Sequence, residues 1–278
     1  MLLNIMNLKT LLNTLFLVFT IQLLSAQKIR VTYQMKYKPD STQTATKENT
    51  MFLDIYDTNS SRFYAESLYN SDSIRNSGAN PQSFSINFNN AVVKNNNSLK
   101  KYYRLLVDVY EVTTEIPQLE WKITSDKKKI GEYECQQAIL KYKNRQWTAW
   151  FTQDVPISEG PYIFKGLPGL VVWVHDNKEN YDFFLKKLSK DFYDPYKGVD
   201  FNSENFIKVN KDQLNKIYIN YYLDPYKEAK MGKVKMNFVD EKGNEVKNIN
   251  WNELAKNKQE VIKQNNNPIE LSDAVKYP

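Results

Sequence analysis

The chain has 278 residues, enough for one large domain or two small ones. With 25% charged and 41% hydrophobic residues it lies within the range of ordinary folded proteins, which excludes disorder throughout. A formal charge of +6, 14% aromatic residues led by 19 Tyr, and only 8 Gly and 10 Pro exclude a repetitive polymer and lean towards sheet, whose half-buried pleated surface suits aromatic side chains.

In chain order, the first segment is the clearest. Leu11 to Leu24 is a short apolar stretch, preceded by Lys9 and followed by Ser25-Ala26-Gln27. A cation, an apolar core and a small residue at the cut form the pattern of a secretory signal peptide over residues 1–26. Asn13, Thr14 and Gln22 make the stretch too short and too interrupted for a good membrane span. Losing it removes one Lys and no acid, which takes the charge from +6 to +5. No later segment is apolar enough to span a bilayer as a helix, and no Cys near the cut invites lipid modification. The only cysteine is Cys135, so an internal disulfide is excluded and the fold must rest on its hydrophobic core. In its strand-like setting Cys135 reads as a buried thiol acting as a small hydrophobe.

Residues 27–264 read as a single β-rich domain, and the polar end from 265 to 278 as a loosely ordered tail. Ile29, Val31, Tyr33, Met35 and Tyr37 alternate with Arg30, Thr32, Gln34, Lys36 and Lys38, a strand with a dry face and a wet one. Further strands are expected over 50–56, 60–65, 84–93, 99–113 and 119–124, with a loop over 67–81. Residues 130–143 and 146–152 flank Asn144-Arg145, a hairpin turn where Asn tolerates positive φ. Leu170–Val174 is apolar on both faces, as a central strand is, and Tyr181–Leu185 returns beside it after a polar turn at 176–180. Phe192–Lys197 and Tyr222–Lys227 share Asp-Pro-Tyr-Lys, which is turn chemistry. Helices are expected over 212–222, with Leu214, Ile217, Tyr218 and Tyr221 on one stripe, and over 251–264, capped by Asn250. The fold class is therefore mainly β: a strongly curved antiparallel sheet or a partly closed β-barrel, with helices near the C-terminal end.

Gly166-Leu167-Pro168-Gly169-Leu170 places Pro second and Gly third in a four-residue turn over 167–170, the order that type II geometry demands. It reads as a stiff corner aiming the apolar run into the sheet. The same residues resemble the signature of the GLPGLI family, exported proteins typical of Bacteroidota. The resemblance extends over about 130–185 through Tyr133, Cys135, Arg145, Trp147, Trp150, Pro156, Gly160, Pro161 and Tyr162. Val171 stands where the family name has Ile, and Asn144 where Gly is expected. The family has no settled activity, so the resemblance implies a compartment and a shared core, and it transfers no catalytic residue.

The search for chemistry is sparse in result. His175 is the only histidine, which excludes a His-rich metal site and leaves one candidate for any triad. Asp154, Glu159, Asp176 and Asp182 are candidate acids for a glycosidase-like pair. The turn at 176–182 has oxygen ligands without the spacing of a calcium loop. There is no phosphate-cradling glycine loop and no dinucleotide fingerprint, so no cofactor is expected. Lys100-Lys101-Tyr102-Tyr103-Arg104 interleaves cations with aromatics as single-strand nucleic-acid binders do. The signal peptide argues against nucleic acid and for a strand with a wet basic face.

The reading is an exported protein, periplasmic, outer-membrane-associated or secreted. It is a non-catalytic binding or assembly component whose partner is an envelope protein, peptide, glycan or lipid. The alternative is a carboxylate-dependent hydrolase. Trp147, Trp150, Tyr162, Trp173 and His175 are the candidate ligand contacts. N-terminal sequencing of protein from an envelope fraction should find Gln27 first; an intact Met1 or Met6 contradicts the signal peptide.

Overall fold

The computed structural model describes residues 28–70, 91–106, 108–190, 192, 206–233, 236–237 and 248–278. The expected signal peptide lies outside the described residues, as do 71–81 of the expected loop, 84–90 of one expected strand and 193–197 of the first Asp-Pro-Tyr-Lys copy. Residues 66–70, at the start of that loop, are helical.

Twelve strands form one sheet among the described residues. In chain order they are β1 (Ile29–Tyr37), β2 (Lys47–Asp57), β3 (Ser60–Ala65), β4 (Ala91–Asn95), β5 (Ser98–Leu105), β6 (Asp108–Glu115), β7 (Lys122–Ile130), β8 (Tyr133–Tyr142), β9 (Arg145–Thr152), β10 (Leu170–Asp176), β11 (Tyr181–Lys190) and β12 (Ile207–Lys208). Across the sheet the order is β12-β6-β5-β4-β3-β2-β1-β11-β10-β9-β8-β7. β12 runs parallel to β6; the other neighbours are antiparallel, so the sheet is mixed. The barrel alternative is not realised: β12 and β7 are edges and do not meet. β7 begins later than the sequence suggests and is mostly exposed, carrying Lys127, Lys128 and Lys129 along its length.

Most sequence-adjacent partners are joined by short turns, whereas β1–β2, β3–β4 and β9–β10 pair across longer connections. The strand expected over 99–113 is two, β5 and β6, folded back at Leu106, whose φ is +55°. The β8–β9 turn is Lys143-Asn144, one residue earlier than expected, because Tyr142 pairs with Arg145 and both turn residues take positive φ (+50° and +62°). Two positive φ values in a two-residue connection suit the twist of the flanking strands. The joint between the halves is different in kind: β1 pairs with β11, Tyr33 opposite Leu185 and Met35 opposite Phe183.

Side chains directly opposite in paired strands share a face. On one face Val31, Leu53, Phe63 and Val92 continue across the joint into Phe183, Val174, Ala149 and Ala138, and all are buried. The β9–β10 connection folds over this face: Phe164 packs 4.6 Å from Trp147 and 6.2 Å from Phe183 between ring centroids. Lys94, buried on β4, reaches that connection at Glu159, Nζ to Oε2 2.5 Å.

The opposite face of β1 is wet towards its end, where Lys36 is exposed and Thr32 and Gln34 are half-buried, but covered at Arg30. Arg30 is buried, donates to both Asp54 oxygens at 2.6 and 2.8 Å, and lies over the rings of Phe52, Tyr69 and Phe192. A second cluster of Phe52, Tyr64, Leu68, Ala91 and Tyr102 covers this side. The alternation was real; the second face is covered only at the Arg30 end.

Among the described residues three α-helices follow the sheet: α1 (Lys211–Leu223), α2 (Lys227–Lys230) and α3 (Trp251–Gln264). Asn210 and Gln213 cap the start of α1 reciprocally, and Leu214, Ile217 and Tyr218 pack on Tyr110 and Val112 of β6. Asn250 caps α3 by accepting from the Glu253 N–H, and α3 buries none of its residues. No helix among the described residues is long and apolar enough to cross a membrane.

The Leu167–Leu170 turn is tighter than a type II turn. The Gly169 N–H donates to Leu167 O at 2.8 Å, while the Leu170 N–H donates to Val155 O at 3.1 Å. Gly169 has φ +154°, and a Cβ there would come within 2.0 Å of Thr152 O. Gly166 also has positive φ (+95°), with open space around it. Gly169→Ala should therefore cost about 2–3 kcal/mol, from backbone strain plus overpacking. Gly166→Ala should cost about 1 kcal/mol, from strain alone. Thermal melts of the two variants beside wild type check the order; equal losses would show that the close approach does not matter.

Candidate functional site

At one end of the core face a cavity of about 770 Å³ opens between the sheet, α1 and the C-terminal segment 265–277. Strand alternation builds its wall. Tyr37 of β1 and Tyr181 of β11 are register partners and stack at 5.9 Å. Tyr103 of β5, Tyr142 of β8 and Tyr162 of the β9–β10 connection continue the aromatic lining, and Tyr218 of α1 and Tyr277 close it. Phenol rings offer apolar faces with polar tips, the surface that an amphipathic ligand needs.

Tyr162 is buried with φ +54°, a conformation unusual for a bulky side chain. Its hydroxyl donates to Glu270 Oε1 at 3.2 Å. Burial first, then the Glu270 charge, holds the Tyr162 phenol well above its ordinary pKa. The same causes raise Tyr142, and Tyr103 likewise. These phenols are neutral donors throughout the physiological range.

The C-terminal segment is the unexpected part. Where the sequence suggests a loosely ordered tail, Asn267, Ile269 and Glu270 are buried. Arg145 at the start of β9 donates from Nε to Ile269 O at 2.9 Å, and from one terminal nitrogen to Pro268 O at 2.8 Å and Asn267 Oδ1 at 2.5 Å. Its other terminal nitrogen lies 3.4 Å from Asp176 Oδ2. Burial lowers the Arg145 pKa, opposed by the Asp176 charge. Lys101, expected on a wet basic face, instead points to the core side and bonds Glu270. Asp273 lies against Lys211 and 3.8 Å from Lys143. Although its burial works the other way, those lysines hold its carboxyl below the usual range.

The five candidate ligand contacts divide between the two faces. Trp147 and Tyr162 lie on the core side, Trp147 beneath the cavity wall and Tyr162 in it. Trp150, Trp173 and His175 lie on the other side, where Lys128 sits 3.9 and 4.2 Å from the two indole centroids and His175 stacks on Trp173 at 4.6 Å. The Trp173 N–H donates to Asp182 Oδ2 at 3.1 Å; burial raises the Asp182 pKa against that bond.

The other candidate acids are held apart by separate partners. Glu159 pairs with Lys94 and Lys165, and Asp154 accepts from the Glu134 N–H. Asp176 accepts from Arg145, the Asn180 side chain and the N–H groups of Lys178, Asn180 and Tyr181, which leaves it a turn-closing carboxylate. Among the described residues no cluster of three His, Cys, Asp or Glu side chains could hold a metal ion.

Residues 140–172 match the profile of a family described as "Protein of unknown function (Porph_ging)". That segment carries β9, the connection over the core and the Gly166–Leu170 turn. No curated protein matches the chain. Among solved structures it is similar to PNGF-II, at 18% identity and TM-score 0.48, over 69% of this chain and 32% of that one. The chain thus spans about a third of the length of PNGF-II. A LolA superfamily protein from Nitrosomonas europaea (7% identity, TM-score 0.30, 63% of this chain and 91% of that one) is also similar. So is a domain titled putative outer membrane lipoprotein-sorting protein from Vibrio parahaemolyticus (7%, 0.31, 64% and 90%). Likenesses this distant assign neither activity nor ligand.

Cys135 is buried, its Sγ 3.7 Å from Tyr133 O. Burial, with the charges of Asp154 and Glu134, pushes its thiol up to about 11 from an ordinary 9.0. At pH 8 that leaves on the order of 100-fold less thiolate than an unperturbed cysteine holds. Iodoacetamide should accordingly label the native protein far more slowly than the urea-unfolded chain; equal rates would reveal an accessible, reactive thiol.

Proposed function

We propose that this is an exported, non-catalytic binding protein of the cell envelope, related to the GLPGLI proteins, with the tyrosine-lined cavity as its ligand site. The observation that carries the reading is the cavity's construction. Rigid strands present stacked phenols on one wall, while a helix and a terminal segment form the other, with a volume suited to a small organic ligand. Its rim cations Lys143 and Lys211 are engaged by Asp273 and its buried Lys101 by Glu270, while Lys47, Arg104 and Glu115 add charge beside the hydrogen-bonding groups and ring faces. Such a surface holds and orients a ligand. Export rests on the residue 1–26 pattern and ligand class on the lining, a peptide, glycan or lipid each being compatible with aromatic faces and phenol hydroxyls.

Native mass spectrometry of the protein isolated from its own envelope tests the reading. Wild type should carry a bound mass that Asn215→Trp, a substitution on the α1 side of the cavity, lacks or holds at much lower occupancy. Ligand-free spectra from both, or equal occupancy in both, overturn the assignment of the site.

A further inference from the structure

The charge of the cavity is not balanced. Five cations line it against three carboxylates. Lys101 is matched by Glu270, and Lys47 and Glu115 cancel in sign. At the rim Lys143 and Lys211 both turn to one oxygen of Asp273, Oδ1, so two ammonium groups share a single carboxylate. Their side chains are 38% and 45% exposed, which leaves both within reach of a molecule in the cavity. Arg104, whose Nε donates to Leu106 O at 2.9 Å, is the remaining cation. A concave wall with a net positive sign draws anions towards it. The uncharged groups favour the same kind of guest. The hydroxyls of Tyr103, Tyr142 and Tyr218 line the cavity and have no hydrogen-bond partner among the described residues. Lys143 Nζ lies 6.0 Å from the Tyr142 ring centroid, so that phenol stands beside the rim cations. A phenol O–H donates, and a donor is held more strongly by a charged acceptor than by a neutral one. On the wall, Tyr37 and Tyr181 lie within 12° of parallel, a flat surface for a ring to lie against.

We propose that the cavity takes an amphiphilic anion, a flat ring body carrying one negative group, with the body along the phenol wall and the negative group at the rim where Lys143 and Lys211 converge. The inference rests on the reading of the cavity as the ligand site and names the charge of what enters it. Asp273 is the resident counter-ion: it holds the two lysines in place and opposes the ligand's own charge. Taking away the lysines and taking away Asp273 therefore move affinity in opposite directions, which a loss of packing cannot do.

The test uses the full chain and two probes that fluoresce on leaving water, anilinonaphthalene sulfonate and phenylnaphthylamine. They share one ring body and differ by the sulfonate. At low salt, wild type should bind the sulfonate about fivefold tighter than the amine, and the preference should shrink as salt screens the exposed rim. The chain carrying Lys143→Gln and Lys211→Gln should lose that preference or reverse it, with the neutral probe held within about twofold of wild type. Asp273→Asn should strengthen sulfonate binding by about threefold. Equal affinity of wild type for the two probes, or an unchanged preference in the lysine variant, overturns the inference. So does sulfonate binding that Asn215→Trp leaves intact, because the probe then lies outside the cavity. If the lysine variant fails to fold, Asp273→Asn decides alone, and sulfonate affinity that stays level or falls sinks the idea. The cavity's standing as a ligand site is judged separately, by the bound mass that wild type carries from its own envelope.

Discussion

The fold depends on one pairing, that of β1 with β11. Each half of the sheet is a run of strands paired with their neighbours in sequence: β2 to β6 on one side, β10 back to β7 on the other. Neither run alone continues the buried face far enough to cover the β9–β10 connection on both sides. Laying Ile29–Tyr37 against Tyr181–Lys190 joins them into one surface and places Tyr37 beside Tyr181 at the cavity. Loop closure over that separation is unfavourable in entropy, though its cost grows only slowly with length, and the apolar face completed by the joint offsets it.

Charge is spent where the sheet meets chain that is not strand. Lys94 ties β4 to the β9–β10 connection through Glu159, Lys101 ties β5 to the C-terminal segment through Glu270, and Arg145 ties β9 to the same segment. A buried ion pair gains little over a well-packed apolar pair of the same volume, because desolvation offsets the attraction. Removing one partner is different, since a bare buried charge remains. These contacts therefore fix where irregular segments sit more than they add net stability. The two buried lysines and Arg145 each have one chemically matched place to dock.

Much of the local architecture was legible in the sequence. The β1 alternation, the β3 bounds, the positive φ of Gly169 and the Asn250 cap are all consequences of short-range chemistry, and short-range chemistry is what a sequence displays. Parity was legible too: Trp147 and Trp150 are three residues apart on one strand, so they cannot share a face, whereas Trp173 and His175, two apart, must. What could not be read was long-range. Nothing near Ile29 names Lys190 as its partner. The inward turn of Lys101 looks locally like a solvated basic strand until Glu270 is brought to it from 169 residues away. The segment from Asn265 reads as polar and loose because its stabilising groups, Arg145, Tyr181 and Lys101, belong to other parts of the chain.

The two ends of the sheet have a consequence for the protein at high concentration. An open sheet exposes unpaired backbone donors and acceptors, and identical molecules can in principle add to one another there and grow into fibrils. Here the two-residue β12 covers only part of the outer edge of β6, and the other border is the β7 strand bearing Lys127, Lys128 and Lys129 in sequence. Bringing two copies of β7 together opposes like charges across the new ladder, which raises the free energy of the first dimer that any such growth must pass through. The lysines thus disfavour addition at the β7 border of a sheet that is not closed into a ring.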